Sequence, residues 1–255
     1  MARLERLMPQ GVQRKFTTVE EWRNWQAGES EKRAAELNRI NQAARAEKIL
    51  GRSGIQKLHQ NCTFRNYEVI CQGQRDALEL ARSYAMNFGT GFASFVFSGN
   101  PGTGKNHLAA AIGNHLMNQG KTVLIVTVPD LLGRFRACYD GNGTESELLD
   151  ELTRVDLLIL DEVGIQRDTT HEKVILNQVI DRRLASLRPM GVLTNLGHAE
   201  LLGVLGARIL DRLQMDNGQW INFDWGSYRS KVSHLSYAKK IRRENNNETD
   251  TGHTC

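Results

Sequence analysis

Apolar and polar positions alternate in two different ways along this chain. From about residue 92 to residue 223, short apolar runs punctuate longer amphipathic stretches. The runs Phe92–Ser98, Thr122–Val128, Val155–Leu160, Gly191–Thr194 and Trp220–Phe223 are of strand length and nearly free of polar interruption, the pattern of strands covered on both faces. Between them, Leu108–Met117, Leu131–Tyr139, Glu145–Leu152, Glu172–Leu187 and Leu201–Leu213 repeat apolar residues at helical spacing. Strands alternating with helices predict βαβ units and an α/β fold: a parallel sheet flanked by helices.

The first fifty residues read differently. Thr17-Thr18-Val19-Glu20-Glu21 offers a helix capping box in either register. Val19, Trp22 and Trp25 then follow on roughly one helical face. A second helical stretch, Ser30–Leu50, is dense in charge and stops at Gly51, with Ser53-Gly54 beyond it as a hinge. Two short helices of this kind bury little surface alone. Either they pack on the larger domain or their tryptophans anchor a partner. The pattern thus divides the chain into a small N-terminal helical domain (1–52), a lead-in (53–75), the α/β domain (76–235) and a tail (236–255). The tail is basic at Lys239, Lys240, Arg242 and Arg243, then polar, and is expected to be disordered.

Composition narrows the class of molecule. The 255 residues are 40% hydrophobic and 24% charged, with 4 prolines and 23 glycines spread through the chain, which excludes collagenous and low-complexity proteins. No apolar run approaches the roughly 20 residues that span a bilayer, and the N-terminus has no apolar signal core. A cytoplasmic protein without a membrane partner is expected. Cys62, Cys71, Cys138 and Cys255 form no C-x-x-C pair and suit idle thiols in a reducing compartment better than a zinc site. The net charge of +4 permits nucleic acid as a partner without requiring it.

The strongest chemical signal is Gly99-Asn100-Pro101-Gly102-Thr103-Gly104-Lys105-Asn106, followed by His107. It stands between a strand and a helix, where a phosphate-binding loop belongs. Glycines let successive N–H groups converge on phosphate oxygens, and the helix N-terminus adds its positive dipole end. Lys105 would reach the β- and γ-phosphates. The next position ordinarily carries Ser or Thr, whose hydroxyl binds magnesium. Here Asn106 offers an amide oxygen instead. About sixty residues on, Leu157-Leu158-Ile159-Leu160-Asp161-Glu162 is an apolar strand that delivers two acids to the sheet edge. Asp161 suits Mg2+, and Glu162 suits a water attacking in line. Asn195, after Val192-Leu193-Thr194, suits a bond to that water or to the γ-phosphate. Arg208 and Arg212 share a helical face; they fit either a phosphoryl group offered by a neighbouring subunit or surface salt bridges with Asp211 or Asp216.

The run of segments GNPGTGKNHLAAAI, LLILDEVGI, NQVIDRR, LTN, ARILDRL and WGSYRSKV resembles the DnaC-type bacterial helicase loaders, a branch of the AAA+ ATPases. Asn106 after the lysine is itself similar to that branch, as is the lead-in from Arg52 to Cys62. The resemblance runs from about Phe16 to Val232. It implies ATP and Mg2+ as ligands, Lys105 and Asn106 in the Walker A role, and Asp161 and Glu162 in the Walker B role. Asn195 then matches sensor 1, Arg212 an arginine finger acting in trans, and Arg229 sensor 2. Pro129–Thr144 matches a helical element that touches single-stranded DNA, with Tyr139 placed to stack on bases. The N-terminal helices match the part that grips a hexameric DnaB-type replicative helicase, with Trp25 and Trp22 as anchors. The resemblance thus implies a slow, switch-like ATPase that self-associates and loads a helicase during DNA replication. Three other readings share features of the chain: an IstB-like transposition helper ATPase, a small-molecule kinase and an adaptor with a dead site.

Overall fold

The computed structural model describes residue 16 and residues 18–50, 59–139, 143–164 and 170–228. Five strands, β1 (Phe95–Gly99), β2 (Val123–Thr127), β3 (Leu157–Val163), β4 (Met190–Thr194) and β5 (Gln219–Phe223), form one sheet. Their order is β2-β3-β4-β1-β5, and every pairing is parallel. Each apolar run therefore becomes a strand, with shifted ends. The run expected from Phe92 begins at Phe95, and the one expected to stop at Leu160 continues to Val163.

Alternation along the strands builds two cores. Phe95, Phe97, Ile159 and Leu193 join Ala77, Ala81 and Tyr84 of α2 (Gln72–Met86) and Leu108, Ile112 and Leu116 of α3 (Lys105–Asn118). Val96, Leu158, Leu160 and Val192 face the other way. There they meet α4 (Val128–Tyr139), α5 (Glu145–Arg154), α6 (Thr170–Ala185), α7 (His198–Leu205) and α8 (Ala207–Leu213). The single helix expected over Leu201–Leu213 is thus two helices. Gly206, at φ 81 and ψ 157, breaks them, a conformation that only glycine adopts readily.

The N-terminal region also departs from expectation. One α-helix, α1, runs unbroken over Val19–Leu50, where two short ones were expected. Gly28 costs about 1 kcal/mol against alanine, but breaking the helix there would require a second, unfavourable nucleation. No proline interrupts the stretch, and Glu29 pairs with Lys32 at 3.0 Å across one turn. The capping box closes in the Thr18 register: Glu21 N donates to Thr18 Oγ1 at 3.1 Å, and Thr18 N donates to Glu21 Oε2 at 3.3 Å. The expected hinge at Gly51–Gly54 and the tail 236–255 lie outside the described residues.

A reciprocal clamp ties the entry of β2 to the entry of β3. Thr122 N and Oγ1 both donate to Asp156 Oδ2, at 2.8 and 2.7 Å, and Asp156 N donates to Thr122 Oγ1 at 2.8 Å. Burial would raise the Asp156 carboxyl, but the Thr122 bonds and the Lys121 and Arg188 charges outweigh it and hold the group below its ordinary value. A depressed folded-state pKa contributes stability that is present above the unfolded value of about 3.9 and fades as pH falls through the folded value. Urea titrations across the acid range should therefore show a shallower loss of stability below pH ~4 for Asp156→Asn than for the parent. Parallel acid limbs would remove Asp156 from the pH response.

Candidate functional site

The loop after β1 turns on glycines whose conformations are fixed by what lies beneath them. Gly104, at φ 100, caps α3, and a Cβ there would stand 2.8 Å from the Tyr67 ring. Tyr67 Oη donates to Thr103 O at 3.4 Å, and Trp225 Nε1 donates to the same carbonyl at 2.9 Å. Tyr228 N donates to Gly102 O at 2.8 Å, and Asn100 N to Phe223 O at 2.9 Å. Two segments far apart in the chain, the lead-in and the stretch after β5, thus hold the loop from either side.

Lys105 opens α3, and its ammonium is nearly buried. It donates to Gly99 O and Asn100 O, both at 2.7 Å, and to Asn195 Oδ1 at 2.9 Å. That last bond exists because β4 lies beside β1, so the residue after β4 faces the loop after β1. Asn106, one residue on, donates from Nδ2 to Asp161 Oδ2 at 2.6 Å. Asp161 Oδ1 accepts from Glu162 N at 2.8 Å. Burial raises the Asp161 carboxyl, against the lowering influence of these bonds and of the His59 and Lys105 charges. The pairing of β3 with β4 slips between Leu160 and Val163, and Glu162 takes φ 60 within the slip. A bulge of this kind re-aims side chains at a strand end. It leaves Glu162 exposed beside the half-buried Asp161.

The structure therefore gathers Gly99–Gly104, Lys105, Asn106, Asp161 and Asn195 at one sheet edge. His107 belongs to the same motif but faces elsewhere. Its Nε2 lies 3.2 Å from Thr63 O and 3.0 Å from Asn66 Oδ1, and its ring meets Tyr67 edge-on. Arg212 lies on α8 and pairs with Asp181 of α6, as does Arg208 at 3.1 Å. The salt-bridge partner is thus neither Asp211 nor Asp216 among the described residues. Asp216 instead accepts from Phe92 N at 2.6 Å. Tyr139 ends α4 with 61% of its surface exposed; a bond to Glu145 raises its hydroxyl pKa. Trp22 and Trp25 are 45% and 40% exposed on α1, and Phe16 packs a ring on Trp25 at 5.2 Å. Arg229 lies outside the described residues.

Sequence reasoning missed Tyr67 and Trp225 as supports of the loop, and Thr63 and Asn66 as the partners of His107. A usable signal was present in part: Thr63-x-x-Asn66 is a local hydrogen-bonding turn, in which Thr63 N donates to Asn66 Oδ1 at 2.8 Å and Asn66 N to Thr63 Oγ1 at 3.2 Å.

The model of the IstB-like ATP binding protein family matches residues 16–236. The Escherichia coli (strain K12) protein YdaV is 52% identical over 239 residues, covering 94% of this chain and 96% of its own. The replicative helicase loader DnaC of the same strain is 48% identical over 238 residues, covering 93% and 97%. A crystal structure of the DnaC helicase loader matches with TM-score 0.59 at 22% identity, over 66% of this chain and 99% of that one. AMPPCP-bound DnaA from Aquifex aeolicus matches with TM-score 0.56 at 23% identity, over 66% and 51%. These two structures share the fold of a parallel sheet flanked by helices. The chain belongs to the IstB-like ATP-binding protein family, on the AAA+ branch that holds the DnaC helicase loaders.

Proposed function

We propose that this protein is an ATP-switched loader that binds a DnaB-type replicative helicase hexamer and delivers it onto single-stranded DNA. The observation that carries the reading is the 48% identity to a replicative helicase loader across nearly the whole chain, α1 included. The site supports it. Lys105 would meet the β- and γ-phosphates, with Asn195 beside it to sense the γ-phosphate. Asn106 and Asp161 offer an amide oxygen and a carboxylate, the oxygen donors that Mg2+ favours. When bound, the ion neutralises charge on the β- and γ-phosphates. Glu162, exposed next to Asp161, orients and polarises the attacking water. Arg212 reaches the γ-phosphate of a neighbouring copy, and Arg229 contacts nucleotide in cis. Tyr139 offers a stacking face to DNA bases, and Trp22 and Trp25 grip the helicase. Hydrolysis is slow, and it breaks the contact between copies to release the helicase.

Glu162→Gln separates chemistry from binding. Phosphate release should fall by about 10²–10⁴-fold, the span of one general base, while titration of a fluorescent ATP analogue gives an unchanged affinity. Equal losses in both would take Glu162 out of the chemistry.

The test of the whole reading is light scattering on size-exclusion fractions of this protein mixed with DnaB-type helicase, with and without ATP and Mg2+. A complex heavier than the helicase hexamer is expected, and Trp25→Ala should lose it. Because Trp25 is exposed, the variant should keep its melting temperature. A second reading follows from the family description, IstB-like. If no helicase is bound and a transposase on duplex DNA is, the protein is a transposition helper instead.

A further inference from the structure

Arg208 and Arg212 stand four residues apart on α8, so their side chains leave the helix on one side. Both end on one carboxylate, that of Asp181 on α6. Arg208 Nη2 donates to Oδ2 at 3.1 Å, and Arg212 Nη1 donates to Oδ1. Arg208 Nη2 also reaches Oδ1 at 3.5 Å, so both guanidinia share one carboxylate, with Arg208 nearer Oδ2 and Arg212 on Oδ1. Their environments differ: the Arg212 side chain is 22% exposed and that of Arg208 is 77% exposed. Arg212 is packed in place while Arg208 crosses from solvent.

Two consequences follow from elementary electrostatics. A free arginine carries about 2 kcal/mol of rotamer entropy, and a fixed carboxylate removes much of that freedom before any phosphate is met. One carboxylate on one guanidinium, however, would cancel the charge that a phosphoryl group needs. The second guanidinium leaves the trio at a net +1, so the patch still attracts an anion. Asp181 is also a firm post. The next residue, Arg182, pairs with Asp150 of α5, and Arg183 is locked among backbone carbonyls. Beside the trio a cavity of about 250 Å³, lined by Asn177, Gln178 and Leu205 among others, leaves this face open to another molecule.

We propose that Asp181 is the positioning residue for Arg212: it presents the guanidinium to the γ-phosphate held by a neighbouring copy of this chain, and Arg208 preserves the positive charge that the contact needs. This rests on the reading of Arg212 as an arginine acting in trans.

Mixed-subunit assays test it. Glu162→Gln copies keep the arginine but cannot hydrolyse, and Arg212→Ala copies keep a site but supply no arginine. An equimolar mixture, with ATP, Mg2+, helicase and a single-stranded oligodeoxynucleotide, should recover phosphate release that neither copy shows alone. Asp181→Asn added to the Glu162→Gln copy should lower the recovered rate by about tenfold or more, the scale of a misplaced catalytic contact. Added to the Arg212→Ala copy, it should lower nothing, and Asp181→Glu in the arginine-supplying copy should restore part of the rate. A loss of stability alone would lower both mixtures equally. Equal losses in the two mixtures, or none in either, overturn the role of Asp181. Parent copies that recover no turnover together refute the trans arginine itself, and the positioning role with it.

Discussion

Lys105→Ala is expected to abolish the stabilisation that nucleotide confers. At a ligand concentration one hundred times Kd, binding to the folded state adds about 2.7 kcal/mol. For a domain of this size that is a rise of roughly 5–11 °C in melting temperature. An ammonium on phosphate oxygens makes charge-assisted hydrogen bonds of about 1.5–3 kcal/mol each. Losing two weakens binding by about 10²-fold or more. At the same nucleotide concentration the variant should then gain about 1 °C or less. Lys105 is nearly buried and bonded to Gly99 O, Asn100 O and Asn195 Oδ1, so its removal also alters the protein without nucleotide. The comparison is of the shift within each protein, and that change drops out. A full nucleotide-induced shift in Lys105→Ala would place the binding site somewhere other than the loop after β1.

What could be read in the sequence was what local pattern determines. Apolar runs fixed the number of strands, and the glycine loop and the Asp161-Glu162 pair each announced themselves within a dozen residues. Features that depend on strand order did not. Asn195 meets Lys105 because β4 neighbours β1, and no run of residues encodes that adjacency. The slip in pairing between Leu160 and Val163, which turns Glu162 to φ 60, is likewise a property of two strands together. His107 shows why contiguity in a motif is not contiguity in space. One step along a helix rotates a side chain by about 100°, so Asn106 faces Asp161 while His107 faces Thr63 and Asn66. Asp181 lies 31 residues from Arg212, too far for charge patterning to pair them, whereas Asp211 and Asp216 looked closer.

The least legible residue, Arg183, is the one whose loss should cost the fold most. Hydropathy places an arginine at the surface, yet this one is fully buried in the last turn of α6. Its guanidinium donates to Val155 O at 3.0 Å, Asp156 O at 3.2 Å, Pro189 O at 2.8 Å and Leu152 O. Leu152 lies in the last turn of α5 and Val155 is its C-cap, so the side chain satisfies carbonyls that a helix end leaves without intrahelical partners. Burial pushes the guanidinium down to about 9; the four acceptors offset the cost of desolvating it. A buried ion pair can often be exchanged for apolar residues without loss, because both charges leave together. Here the partners are backbone carbonyls, which no substitution removes. Arg183→Met fills much of the volume and still leaves those acceptors without a donor. It should lower the free energy of unfolding by about 3–5 kcal/mol, the range for breaking one side of a buried charged network. At 2–4 °C per kcal/mol the melting temperature should fall by about 6–20 °C. Arg183→Lys keeps the charge but, with one nitrogen in place of a fork, reaches fewer of the carbonyls, and should fall between the two. Urea denaturation of all three proteins would order them, and a methionine variant within about 1 kcal/mol of the parent would mean that water replaces the guanidinium at little cost.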